Sequence, residues 1–322
     1  MNIRIFTVAA ALAATAGLAL PAENPEPKSF SARKAFDPDK GTHKSGNSTQ
    51  ILYHGGHVLG KNGVPVPVYV IYYGNAFPST TQPIIDRFAG GVSAGVNEPT
   101  GAFPFAVNSS YCEASVTACP APGPGSTSVS GLINYVRSLK LPPSLGSSVN
   151  STAVSQILKI ALTTGGLPAD DTAIYALITD PTIKVTGFPN SFCAYHTHSA
   201  SIVAGHNIHY ALAPEPAKAG ACDGNFANGQ TVTPNGDAGA DEITDSLMHE
   251  FSETVSDPDL SAWYTSNGAE NGDLCNYNYG TWSSLPQASN GAKYNTLIGG
   301  APYLLQLIWL NKSAPQYCAP AP

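Results

Sequence analysis

The sequence predicts an α/β or mixed α+β protein: one domain with a mixed central sheet flanked by helices, loop-rich and disulfide-bonded. Three observations carry this. Short β-branched and aromatic runs alternate with stretches of helical apolar spacing. Glycine (31) and proline (27) are abundant, which demands many turns. Six cysteines form an even set, as a disulfide framework would.

The elements follow in order. Val66–Tyr73 is β-branched and aromatic, bounded by proline and Gly74, and reads as a buried strand. Gln82–Ala94 reads as a helix opened by Pro83. Residues 119–127 are proline- and glycine-rich and form a loop. Val129–Leu139 and Ala153–Leu162 carry apolar residues at three- and four-residue spacing, which predicts amphipathic helices. Ala173–Thr179 reads as a second buried strand and Ser201–Leu212 as a third. Asp241–Ser256 is the strongest helix of the chain, stopped by Pro258. No internal repeat or linker interrupts residues 51–322, so these form one domain.

Composition sets the class. Only 11% of residues are charged, against a usual share of about 25%. Hydrophobic residues make up 43%, enough for a core. The net charge of −7 argues against a nucleic-acid partner. Residues 1–22 read as a signal peptide: Arg4 precedes an apolar core from Phe6 to Leu20, with small residues at Ala19–Ala22. That run is too short for a membrane span, and no second one follows, so no transmembrane segment is expected in the mature chain. Residues 23–50 are polar and proline-rich, a flexible leader or a propeptide. Export predicts a secreted protein, extracellular or of the cell wall. Proximity favours the pairs Cys112–Cys119 and Cys193–Cys222, leaving Cys275–Cys318. Asn47, Asn108, Asn150 and Asn311 head glycosylation sequons.

The chemistry centres on Ser246–Glu253, which contains His-Glu-x-x-Glu. Positions i and i+4 share a helix face, so His249 and Glu253 can grip one metal ion. Glu250 is offset by about 100° and is placed to act on a metal-bound water as the catalytic carboxylate. This is the logic of a zincin-like active-site helix, with Glu in place of the second His. Ile243, Leu247, Phe251 and Val255 form an apolar stripe; Asp245, His249 and Glu253 form another nearly opposite. The helix is therefore expected between a core and a cleft. Asp245 is the candidate to accept the second imidazole N–H from beneath. The same residues read blandly are a solvated helix face.

A third metal ligand must come from elsewhere. Glu270 is favoured, on a glycine-containing turn that can fold back over the helix; Asp273 is the near alternative, and His196 and His198 on one strand face are others. Taken singly, His196, His198, His206 and His209 more often play structural roles. Tyr53-His54-Gly-Gly-His57 is a further candidate. Zinc is the expected cofactor. Calcium is a lesser expectation, from Asn235, Asp237 and Asp241 on a glycine-flexed loop, where the plainer reading is a turn and helix cap.

Tyr53–Leu59 (Tyr-His-Gly-Gly-His-Val-Leu), the Val-Tyr-Val-Ile-Tyr-Tyr-Gly run ending at Gly74, Phe192-Cys193, Pro234-Asn-Gly-Asp237, and the closing Pro302-Tyr-Leu-Leu with Cys318 resemble the exordium, or phosphate-induced protein 1, family. The resemblance spans about residues 51–318. It implies a secreted protein of the cell wall or extracellular space, tied in plants to growth and nutrient response, without an established activity. The chain departs from plant members in carrying His-Glu-x-x-Glu, Asp-Pro and a later Glu-x-x-Asp-x-Cys, and is similar to microbial relatives in this. Two functions follow as expectations. The first is a secreted zinc metallopeptidase acting on an extracellular peptide or protein. The alternative is a non-catalytic extracellular exordium-like protein in cell-wall or growth signalling. A structural metal site is a third possibility.

Overall fold

The computed structural model describes residues 28–30, 50–94, 104–116, 118–216, 222, 229–312 and 317–322. A six-stranded mixed sheet organises them, in the order β1-β8-β9-β6-β3-β4. Its strands are β1 (Lys28–Phe30), β3 (Val66–Tyr73), β4 (Ile133–Leu141), β6 (Ile174–Thr179), β8 (Ala194–Ser199) and β9 (Ile208–Leu212). Strands β4, β3, β6 and β9 run parallel; β8 lies antiparallel to β9, and β1 antiparallel to β8. Short strand pairs complete the architecture, among them β2 (Leu52–Tyr53) with β10 (Trp263–Tyr264) and β5 (Ser148–Val149) with β7 (Lys184–Val185). The predicted mixed sheet with helical flanks is present.

Both faces of the sheet are covered, which explains why β3 is apolar at every position. Val66, Val68, Val70 and Tyr72 face one core, shared with helices α1 (Thr81–Ala94) and α3 (Ala238–Ser256). Tyr69, Ile71 and Tyr73 face another, filled by α2 (Ser151–Thr163). A strand buried on both faces loses the polar alternation of a half-exposed one. Helix α2 presents Val154, Ile157, Leu158, Ala161 and Leu162 to its core, and Asn150 caps its start by accepting from Ala153 N at 3.0 Å.

Three expectations need correction. Residues 129–139 do not form a helix: Ile133–Leu141 is strand β4, paired along its length with β3. Ile133, Tyr135, Arg137, Leu139 and Leu141 also sit two apart, and pairing with the central strand decides between the periods. In the predicted third strand only Ile208–Leu212 is extended; turns occupy the stretch before it, and the preceding strand is 194–199. Helix α3 begins one turn earlier than expected, capped by Asp237, whose carboxylate accepts from Ala240 N at 3.1 Å.

The signal peptide (1–22) and most of the leader (23–50) lie outside the described residues; of the leader, Lys28–Phe30 pairs with Ala194–His196 as an edge strand. Three disulfides join Cys112–Cys119, Cys193–Cys222 and Cys275–Cys318, the pairs favoured by proximity. Among the described residues no helix is long and apolar enough to cross a membrane.

Candidate metal centre

Helix α3 is the spine of the site. Ile243, Leu247, Phe251 and Val255 pack into the core as their spacing predicts. The opposite stripe does not face solvent. Asp245, His249, Glu250 and Glu253 are all buried, so the expected open cleft is replaced by a second interior. Segment 265–275 closes it. A turn at Thr265–Gly268 reverses the chain, and Cys275 is tied to Cys318. Asn271 then seats against α3, its amide donating to Ser256 Oγ (3.1 Å) and Asn108 Oδ1 (2.9 Å).

The donors converge. His249 Nε2 lies 2.9 Å from Glu253 Oε1 and 3.8 Å from Asp273 Oδ1. From strand β8, His196 Nε2 reaches Glu270 Oε2 at 3.2 Å and Glu253 Oε2 at 3.5 Å. Glu253 is thus the shared member of two groups whose potential ligand atoms lie within 4.8 Å of one another: His249, Glu253 and Asp273, and His196, Glu250 and Glu253. Asp273 also supports Glu253 through its backbone, donating N–H to Glu253 Oε1 at 3.1 Å. Glu270, the favoured third ligand, enters beside His196 rather than His249.

His198 does not join this centre. It is the next residue on the same strand face, about 7 Å further along, and its Nδ1 donates to Asn207 Oδ1 at 2.8 Å. The expected joint ligation by His196 and His198 is not formed. His206 pairs at the surface with Asp171 (2.8 Å).

Asp245 plays a different part from the one expected. Its oxygens accept from Tyr279 Oη (2.7 Å) and Gln306 N (2.7 Å). It is Gln306 that receives the imidazole: His249 Nδ1 donates to Gln306 Oε1 at 3.1 Å, while Gln306 Nε2 donates to Gly272 O at 3.0 Å. That second bond fixes the amide orientation, and with it the His249 tautomer, leaving Nε2 to face Glu253. A glutamine so far along the chain gave no local signal.

Electrostatics follow from burial. Desolvation alone would lower the His249 pKa, but the Glu253, Glu250 and Asp273 carboxylates outweigh it and hold it at about 10. Burial pushes Glu253 up, and the His249 charge reverses that, lowering it overall. Burial raises Asp245 to about 6 despite its hydrogen bonds. The centre therefore favours a positive charge at His249 Nε2.

The loop read for calcium is committed elsewhere. Asn235 donates through N and Nδ2 to the Asp241 carboxylate (2.9 and 2.6 Å), and its Oδ1 accepts from Arg87 (2.5 Å). Asp237 caps α3 and accepts from Thr80 and Thr81. Of the sequons, Asn108 and Asn311 are buried, with Asn108 Nδ2 donating to Phe105 O and Ser252 Oγ; a glycan cannot be carried there in the folded protein. Asn150 is exposed, and Asn47 lies outside the described residues.

Fold and site together define a three-layer mixed α/β protein, disulfide-bonded, with an interior histidine–carboxylate centre astride one helix. The conserved region of phosphate-induced protein 1 matches residues 51–319, and the chain belongs to that family. It is similar to Protein EXORDIUM-like 3 of Arabidopsis thaliana, 25% identical over 307 residues that cover 88% of this chain and 87% of the relative. It is also similar to Protein EXORDIUM-like 5 of the same plant, 25% identical over 289 residues, 82% and 76% of the two chains. No solved structure matches significantly.

Proposed function

We propose that this protein is an extracellular, exordium-like protein with a non-catalytic role, whose interior centre holds a structural divalent cation. One observation carries the reading: His196, His249, Glu250, Glu253 and Glu270 are each at most 1% exposed. A hydrolytic centre needs a path for substrate, whereas a structural ion needs closure. Export is supported by the three disulfides, which persist in oxidising compartments.

The donor set fits such an ion. Imidazole nitrogen and carboxylate oxygen suit zinc and its neighbours. With His249 Nδ1–H given to Gln306, a neutral ring would set a lone pair against Glu253 Oε1 at 2.9 Å; a cation or a proton resolves that contact. His249 and Glu253, both buried, would hold the ion together with Asp273, whose side chain is 26% exposed.

The test is metal counting and thermal unfolding of the mature protein before and after chelation. We expect a bound divalent ion and a fall in Tm on its removal; an ion held at 100 times its Kd supplies about 2.7 kcal/mol. A metal-free protein with an unchanged Tm overturns the reading.

A second reading, a metal-dependent hydrolase, draws on Glu250 beside the donors and on the edge of β8. Backbone pairing of Lys28–Phe30 with this strand occupies the position an extended peptide would take beside His196. Chelator-sensitive peptide hydrolysis by the leader-free chain, lost in Glu250→Gln, would favour it over the structural role.

A further inference from the structure

We propose that His57, His209 and Asp259 form a second divalent-cation site, of the zinc class, separate from the interior centre and open to a cavity. His57 Nδ1 lies 2.9 Å from Asp259 Oδ2, and His209 Nε2 lies 2.9 Å from Asp259 Oδ1. The three ligand atoms are all within 4.8 Å of one another. A zinc ion with bonds of about 2.0–2.2 Å holds its donors roughly 3–3.5 Å apart, so only small side-chain shifts separate this arrangement from a bound one. His198 Nδ1 lies 3.6 Å from Asp259 Oδ1 and donates to Asn207, so it is an outer partner of the cluster.

The cluster comes from three parts of the chain, and the fold spends several specific contacts on assembling it. In the pairing of β8 with β9, His198 and His209 are directly opposite. Asn207 bridges them to the carboxylate, donating to Asp259 Oδ1 at 2.7 Å and accepting from His198. The His54–His57 turn is laced to the segment after α3: His54 N donates to Ala262 O (2.7 Å) and Gly56 N to Ser261 O (3.0 Å). Gly56 is required there, since a Cβ would fall 2.4 Å from Ser261 Oγ. Asp257 Oδ1 accepts from both Ser261 N and Ala262 N at 2.6 Å, which shapes the turn presenting Asp259. Leu260, next to Asp259, is held at φ +54°, in the left-handed region that non-glycine residues avoid.

Unlike the interior centre, this one has access. His57 and Asp259 are 41% and 25% exposed at their side chains, while His209 is buried. A cavity of about 570 Å³ has His57, Asn207 and His209 in its wall, beside the apolar Val58, Leu59 and Val66. Three protein donors with a cavity on the remaining side is the pattern of a site that keeps a position for water or a small ligand. The rival is a purely hydrogen-bonded His–Asp–His cluster, which needs no ion.

Metal stoichiometry of the full mature chain separates the two. The chain is dialysed against buffered free Zn²⁺ and the bound metal counted, with Co²⁺ absorption as an independent reading of coordination. Wild type is compared with His57→Ala, Asp259→Asn and His249→Ala. We expect His57→Ala and Asp259→Asn each to weaken one site at least about 100-fold, the upper end of what even outer partners cost, and to abolish its cobalt band. His249→Ala should leave that site intact. Because His57 is exposed, His57→Ala decides the question should Asp259→Asn disturb the turn. Zinc stoichiometry, affinity and cobalt spectrum unchanged in His57→Ala overturn the proposal, whatever becomes of the interior centre.

Discussion

Gly272→Ala is expected to destabilise the protein and to weaken metal binding at the proposed interior centre, against the usual direction of such a change. Gly272 has φ −73° and ψ −45°, so alanine is allowed there. On backbone grounds alone the substitution stabilises by about 0.4–1 kcal/mol. The new Cβ, however, would lie 3.0 Å from Glu253 Oε1 and 3.0 Å from Cδ2 and Cε1 of His249. Comfortable carbon contacts are about 3.5–4.0 Å, so the ring must retreat by about half an ångström. It is poorly free to do so, since Gln306 holds Nδ1 and is itself held by Asp245 and Gly272. Overpacking of this kind costs about 1–3 kcal/mol and outweighs the backbone gain. The net loss is about 1–2 kcal/mol, or about 2–6 °C in Tm for a domain of this size. Metal sites tolerate ligand shifts of only about 0.2 Å, so zinc affinity should fall by at least about 10-fold. Calorimetry of wild type and variant, chelated and zinc-supplied, checks both parts. An equal or higher Tm in the variant, with the same zinc-dependent rise, refutes the packing argument.

Three further outcomes are expected. Burial, with the Asp237 and Asp180 charges, outweighs the Thr81 hydrogen bond and raises Glu215 from 4.5 to about 8; the folded state therefore binds more protons than the unfolded one between those values, and stability falls as pH rises through that window. Glu215→Gln should leave stability unchanged at pH 4 and raise it by about 2 kcal/mol at pH 8.5, less than the full shift because the surroundings of a buried charge relax around it; urea titrations at the two pH values check it, and a gain that does not depend on pH counts against it. Removing the Cys275–Cys318 bridge, which spans 43 residues, with paired alanines should cost about 4 kcal/mol on the chain-entropy account and loosen the segment bearing Glu270 and Asp273, read as lower zinc affinity and a lower denaturation midpoint. Expressed in a glycosylating host, Asn150→Gln should remove a glycan by mass, whereas Asn108→Gln should remove none, because its amide is consumed inside the protein.

What the sequence disclosed depended on how local each signal was. Helix α3 was legible because its apolar stripe, its His-Glu-x-x-Glu and its stopping proline all lie within twenty or so residues of one regular element. The return of Glu270 and Asp273 was legible as a turn, but not which histidine each would meet, since that depends on where β8 lies. Gln306 carried no signal at all: its role exists only once segment 302–310 is folded against Gly272. The apolar residues within 129–139 fit both a helical and an alternating spacing, and only β3 beside them settles the matter.

The histidine pair on β8 shows most clearly where sequence reasoning stops. Alternation correctly places His196 and His198 on one face, and from there a single ion bound by both looked natural. In the fold, however, His198 is committed to Asn207 and turns away from His196. The strand instead carries one imidazole to each of two clusters: His196 to Glu253 and Glu270, and His198 towards Asp259. Helix α3 and the turn after it repeat the division, with Glu253 in the first cluster and Asp259 six residues on in the second. The strand and the helix therefore act as a pair of rails, and the step along each sets the distance between the centres. A change that shifts β8 against β9 by one residue would turn both imidazoles to the opposite face at once, so the first cluster should lose His196 and the second its His198 contact together.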